Sequence, residues 1–237
     1  MHEFAEARQV METMIRGDDL EGLLRQVEHI HGHLCPGVSL GVKAGHFAMQ
    51  AMDRPNTGME EVVAIVECNN CFTDGIQVVT GCTFGNNALI YKDLGKTAVT
   101  MARREDGFAV RLAVKPDYFQ EMMSRYPIAG PLFQKIVAER QGTPEEKHHF
   151  QHVWHSISYK ELAAPVEEQF TISRLTIKVP QYAPIFASQV CSGCGESVME
   201  SRVRLREGQP YCLTCAGEDY FLLTGRGMTV TRDGVHD

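Results

Sequence analysis

The chain has 237 residues, of which 43% are hydrophobic and 22% charged, with a formal net charge of -7. That is ordinary globular composition, enough for one large domain or a medium domain plus a small one, and the acidic balance excludes a general nucleic-acid or anionic-membrane binder. No run of 18 apolar residues exists to span a membrane, and residues 1–18, with Glu3, Glu6 and Glu12, lack the apolar stretch of a signal peptide, so a cytoplasmic protein is expected.

In chain order, Leu20, Leu23, Leu24, Val27 and Ile30 recur at helical spacing, which predicts an amphipathic helix over Leu20–Ile30. Gly32 suits its end, and Pro36 suits the first turn of a second helix, about Val38–Met52. That helix carries Gly41, Ala44, Gly45 and Ala48 on one side, a face that lets another backbone approach closely. Val62–Cys68 reads as a buried strand, followed by a loop rich in Asn, Cys and Gly from Asn69 to Asn87. Thr97–Arg103 and Phe108–Val114, separated by Asp106-Gly107, read as a hairpin. Helices are expected from Pro116 to about Tyr126, over Leu132–Arg140, and from Glu145 to about Leu162. Phe170–Val179 reads as a strand whose apolar phase shifts near Ser173-Arg174, as a bulge would explain. This mixed order predicts an α+β core with a mixed sheet over residues 1–182, and a small domain over 183–237.

The eight cysteines fall into two groups. In a reducing compartment they read as metal ligands or reactive thiols before disulfides. Cys191-Ser-Gly-Cys194 and Cys212-Leu-Thr-Cys215 form a C-x2-C…C-x2-C pattern with a short spacer. Four thiolates satisfy tetrahedral zinc, and the two-residue gap turns both thiolates of a pair toward one ion. Val198–Leu205, Glu207-Gly208-Gln209 and Pro210-Tyr211 read as a hairpin between the pairs, and Ala216–Leu223 as a short helix after them. Knuckle, hairpin and helix describe a treble-clef finger with a structural Zn2+. From Pro184 onward five arginines stand against seven acids, which argues against a phosphate-binding surface. Packing on the core or on a second copy of the chain is expected, with a homodimer as the assembly.

The other group, Cys35, Cys68, Cys71 and Cys82, lies near His31, His33 and Asp74. His31, His33 and Cys35 alternate along what reads as a short extended turn, which puts them on one side. Cys35 precedes a helix start, whose positive end favours thiolate. Mixed His and Cys ligands are what a catalytic zinc site uses, with one position open. Cys35 and Cys71, with His31 or His33, are the leading ligands; Asp74 or the other histidine orients a ligand or moves a proton. Cys68 and Cys82 complete the candidate set for a second Zn2+. Alternatives are a thiol–disulfide protein using Cys68 and Cys71, an iron–sulfur cluster on the core cysteines, and a non-enzymatic metal-delivery or assembly factor. His148, His152 and His155 share a helix face and read as solvated.

His31-Gly-His33-Leu-Cys35-Pro-Gly37, Cys68-Asn-Asn-Cys71-Phe-Thr-Asp74-Gly-Ile-Gln77, Thr80-Gly-Cys82-Thr-Phe-Gly85-Asn and Asp93-Leu-Gly-Lys96 together resemble the FmdE family, named for its association with formylmethanofuran dehydrogenase, over about Leu20 to Lys178. The C-terminal segment resembles the finger appended in many two-domain members. The resemblance implies a thioredoxin-like core, an active site at the His/Cys cluster able to hold zinc, and a treble-clef finger. It also implies association with a molybdenum or tungsten oxidoreductase, although the chain shows no pterin-binding motif.

Overall fold

The computed structural model describes residues 6–54 and 56–232. Glu3, Asp233, Asp237 and the side chain of Glu6, used in the charge arguments, lie outside the described residues. The chain divides into two compact units, Met1–Pro180 and Gln181–Asp237.

In the first unit the elements run α1 (Glu6–Arg16), α2 (Leu20–His31), α3 (Pro36–Met52), β1 (Val62–Val66), α4 (Cys71–Thr80), β2 (Leu89–Tyr91), β3 (Ala98–Arg103), β4 (Phe108–Val114), α5 (Tyr118–Arg125), α6 (Ala129–Phe133), α7 (Pro144–Ala163), α8 (Val166–Gln169) and β5 (Phe170–Thr176). The strands form one mixed sheet in the order β2-β1-β3-β4-β5, in which β1 and β2 are parallel and the other pairs antiparallel. This is the α+β architecture expected, a central mixed sheet flanked by helices. Every residue of β1 is buried, as its continuous apolar run requires. Val62, Ala64 and Val66 join the main core with Leu40, Val42 and Ala44 of α3 and Phe72, Ile76 and Val79 of α4.

Local signals set several boundaries. Asp19 accepts from the Gly22 N–H at the start of α2, and Gly32, at φ 81°, ends it in the left-handed conformation. Pro36 opens α3 with Cys35 as its cap residue. Thr143 and Glu146 close a capping box on α7.

Three expectations are corrected. The stretch read as a loop from Asn69 to Asn87 contains α4. Its β-branched residues and Gly75 disfavour helix, but close packing on α3 overrides that preference. No bulge interrupts β5: its register with β4 is continuous from Phe108↔Thr176 to Val114↔Phe170. The phase shift arises because β5 is an edge strand, and Leu175, 38% exposed, has no buried face to match. The helix expected over Leu132–Arg140 starts earlier, at Ala129, and passes into a π-helical turn over Gln134–Ala138. Three elements, α1, β2 and α8, were not read from the sequence, although Met11, Met14 and Ile15 of α1 recur at helical spacing and pack on the core.

A partly buried ion pair anchors the segment after β1. Glu67 is 7% exposed, and both its oxygens accept from Arg111 of β4, each at 2.8 Å. Arg111, through that hydrogen bond first, holds the carboxyl below its ordinary value of 4.5. A depressed folded value means the carboxylate contributes stability above about pH 4.5, lost as the pH falls through the lower folded value. Arg111→Ala strands a buried carboxylate and is expected to cost about 3 kcal/mol in urea unfolding at pH 7. The deficit should shrink in acid, where Glu67 is protonated in both proteins; a deficit independent of pH contradicts the ion-pair account.

In the second unit, β6 (Ser188–Val190) pairs with β7 (Ser197–Met199), and β8 (Arg204–Arg206) pairs with β9 (Gln209–Tyr211). The span Val198–Leu205 is therefore not one strand: a 3-10 turn at Glu200–Arg202 divides it. Glu207 and Gly208, at φ 51° and 77°, make the predicted tight turn, whose two positive φ angles match the twist of the strands. The helix expected over Ala216–Leu223 is replaced by β10 (Tyr220–Thr224) paired with β11 (Gly227–Thr231). Gly225 and Arg226 form a two-residue connection between them, and this hairpin signal outweighs the helical reading.

Candidate functional site

Two helix starts meet at the site. On α3, Gly37, Gly41 and Gly45 fall on successive turns and face α4. A Cβ built on Gly41 would sit 2.1 Å from the Phe72 carbonyl oxygen, and one on Gly75 would sit 2.6 Å from the Gly41 carbonyl carbon. The two backbones are thus in direct contact, and only glycine fits there. Farther up, a Cβ on Gly37 would lie 3.2 Å from the Cys71 Cβ and 3.7 Å from the Cys35 Sγ. The glycine face therefore sets Cys35, at the cap of α3, against Cys71, the first residue of α4.

His31 completes the group as the last residue of α2. One ligand atom from each of His31, Cys35 and Cys71 lies within 4.8 Å of the others. His31 Nδ1 is 2.7 Å from Asp74 Oδ2, and its Nε2 is 3.9 Å from the Cys35 Sγ. A carboxylate only accepts, so Nδ1 carries the proton and the Nε2 lone pair faces the thiols. The Gln77 amide donates to the other Asp74 oxygen at 3.4 Å. The two thiols shift in opposite directions. A hydrogen bond from Cys35, aided by His31, pulls Cys71 down to about 6 against its burial. The same contact, with burial, pushes Cys35 up. The pair holds one proton near neutral pH, with the thiolate on Cys71.

The remaining sequence candidates fall elsewhere. His33 does not join the ligand group; its ring packs on His31 with centroids 4.4 Å apart. The alternation argument does not hold here, because His31 is helical and Gly32 is left-handed, so His31 to Cys35 is not one extended stretch. The Cys68 thiol donates to Asn70 Oδ1 at 3.4 Å, lies 3.9 Å from the Thr73 hydroxyl, and is pushed up by burial. Cys82 is fully buried, donates to the Val62 carbonyl at 3.6 Å, and is pushed up by burial to about 11. The neighbour that Cys71 meets is thus Cys35, not Cys68. The His31–Asp74 contact, between residues 43 apart in the chain, had no local signal.

In the second unit, Cys191, Cys194, Cys212 and Cys215 bring their four sulfurs within 4.8 Å of one another. A zinc–thiolate tetrahedron has sulfur–sulfur edges of about 3.8 Å, so the group fits the ion with small adjustments. Backbone N–H groups of Gly193 and Cys212 donate to the Cys191 Sγ at 3.4 and 3.2 Å, and Cys215 donates to the Cys212 Sγ at 3.3 Å. Such bonds favour thiolate; with the Cys194 N–H as the leading cause, they draw Cys191 down to about 6. The core group, with one nitrogen and two sulfurs, fits three corners of a tetrahedron and leaves the fourth to another ligand. Among the described residues no helix is long and apolar enough to cross a membrane.

The comparisons with known proteins agree with this division. Residues 30–171 match the family described as "FmdE, Molybdenum formylmethanofuran dehydrogenase operon". Residues 184–221 match the prokaryotic dksA/traR C4-type zinc finger. The chain is 40% identical over 213 residues to a "Probable S-adenosyl-L-methionine-binding protein" of Archaeoglobus fulgidus; the match covers 88% of this chain and 56% of that protein, so the chain spans little more than half its relative's length. A crystal structure of a tungsten formylmethanofuran dehydrogenase FmdE-like protein from Syntrophus aciditrophicus is similar in fold, with a TM-score of 0.52 at 21% identity, covering 84% of this chain and 92% of that one.

Proposed function

The chain belongs to the FmdE family, and from that premise we propose that its core holds a metal-dependent site with His31, Cys35 and Cys71 as protein ligands. The observation that carries this reading is the convergence of one imidazole nitrogen and two thiols, backed by a carboxylate on the far side of the imidazole. Zinc bound there would act as a Lewis acid toward a water or substrate in the fourth position. Asp74 keeps the proton on Nδ1 and aims Nε2, as carboxylates do behind metal-binding histidines. His33, its ring tilted against that of His31 and exposed, is placed to move a proton at the rim.

We assign the four-cysteine finger a structural zinc, because four thiolates close the coordination shell. Of the treble-clef description, the knuckle and hairpin are supported, whereas a strand stands where its helix would be. A parallel βαβ crossover with an antiparallel hairpin on the other side of β1 supports a thioredoxin-like reading of the core. The reading extends to a cytoplasmic homodimer that assists a molybdenum or tungsten oxidoreductase, by catalysis or by metal delivery; the operon named in the family's description supports the oxidoreductase part alone. Elemental analysis of the purified full chain should return two metal ions per chain. A single ion per chain contradicts the core site.

One observation favours a second reading, thiol–disulfide chemistry, through Cys35 and Cys71 and not through Cys68. The low-lying Cys71 thiolate faces the Cys35 thiol. With glutathione disulfide as oxidant, the two thiols would lose two electrons and two protons, forming one S–S bond and releasing two glutathione thiols. Metal-free protein titrated across a glutathione gradient should then form a Cys35–Cys71 disulfide visible by mass spectrometry, and its absence at every potential rejects this reading.

A further inference from the structure

A cleft of about 460 Å³ opens beside His33, bounded by α2, α7 and the π-helical turn. One wall is aromatic. Trp154, 6% exposed, packs with Phe150 at 4.7 Å between ring centroids and stacks on Phe133 at 5.7 Å. Its indole N–H makes no hydrogen bond among the described residues and is not among their buried unpaired atoms, so it is open to solvent and to a ligand acceptor. Ile136, from the π-helical turn, lines the same cleft, and such turns recur at binding sites. Charge enters from two sides, with Lys147 on α7 and Glu28 on α2. The inner limit is His33, whose ring touches His31 of the ligand group.

We propose that this cleft binds a flat heteroaromatic ring carrying an anionic arm, and that it is the substrate pocket of the core site. The inference rests on the metal-site reading for the pocket's role, but not for binding itself. The ring lies against Ile136 and the small exposed parts of Phe150 and Trp154, which offer an apolar wall and one free donor. Glu28 accepts from a ring amino group, and Lys147 takes the anion as a point charge. The cleft holds a ring system of nucleoside size, and a ring seated there lies one histidine away from the thiols. A carbohydrate or an aliphatic acid would leave the aromatic wall unused.

Trp154 is the chain's single tryptophan, so binding reads directly in its fluorescence. The full chain is titrated with adenosine 5′-monophosphate as probe, with adenosine and ribose 5-phosphate in parallel, and metal content is measured on the same samples. The expected result is a saturable change with the monophosphate, about tenfold weaker binding of adenosine, and none of ribose 5-phosphate. Lys147→Ala, an exposed helix position, should weaken the monophosphate about tenfold and bring it level with adenosine. Saturable binding of the monophosphate to wild type that carries only one metal per chain supports the cleft even if the metal reading fails. No saturable change in wild type that retains two metals overturns the cleft and leaves the metal site standing. Equal binding of ribose 5-phosphate, or an unaltered Lys147→Ala titration, also overturns it.

Discussion

Replacing Cys71 by Ser is expected to remove one metal ion per chain and leave the other in the finger. Cys71 is the residue whose loss should matter most, because it supplies the thiolate of the pair and sits between Cys35 and His31. Serine keeps the volume but is a poor ligand near neutral pH, since it stays protonated where the thiol does not. Cys68→Ser and Cys82→Ser are the controls. Both thiols have other neighbours, and both variants should keep two metals. Asp74→Asn tests the orienting role separately. It leaves all three ligands in place and should weaken core-metal affinity by about 10–100-fold, read by competition with a chelating dye. Metal content unchanged in Cys71→Ser, or lost equally in Cys68→Ser, would sink the assignment.

Gly41→Ala should damage fold and site together. Alanine brings a helix-propensity gain of about 1 kcal/mol. Against it stands a methyl group placed 2.1 Å from the Phe72 carbonyl oxygen, which is backbone and cannot rotate away. Overpacking of this kind costs about 3 kcal/mol or more, so a net loss of about 2 kcal/mol or more is expected in urea unfolding. That is a large share of the ~5–15 kcal/mol that holds a domain folded. The added separation between α3 and α4 would also part Cys35 from Cys71, so the variant should retain less core metal even where it remains folded. Gly45→Ala is the graded comparison. Its nearest neighbour is the Val79 side chain at 3.1 Å, which can give, so the loss should be smaller. Equal stability of Gly41→Ala and wild type would refute the backbone-contact account.

The two sites differ in how far they were legible before the fold was known. In the finger all four ligands come from two C-x2-C knuckles within one short segment, and the local turn geometry of each knuckle is enough to turn its thiolates together. Spacing alone therefore identified the group. The helix expected after it failed because Tyr220–Leu223 suits strand as well as helix, and pairing with Gly227–Thr231 decided the matter.

In the core, sequence marked the chemistry but not the partners. It singled out His31, His33, Cys35, Cys68, Cys71, Asp74 and Cys82, and it marked the small-residue face of α3. It put Cys35 and Cys71 first with either His31 or His33, but left the histidine open and kept Cys68 and Cys82 as candidates, because the choice depends on where α4 crosses α3, and α4 itself read as a loop. The crossing is set by two glycines on different helices, Gly41 and Gly75, whose contact exists only in the folded chain. Once the backbones touch there, Cys35 meets Cys71, Asp74 reaches His31, and Cys68 and Cys82 are held by other neighbours. Residue type and local spacing thus determined the four-cysteine group of the finger and the candidate residues of the core; close backbone packing between distant segments decided which of those residues converge.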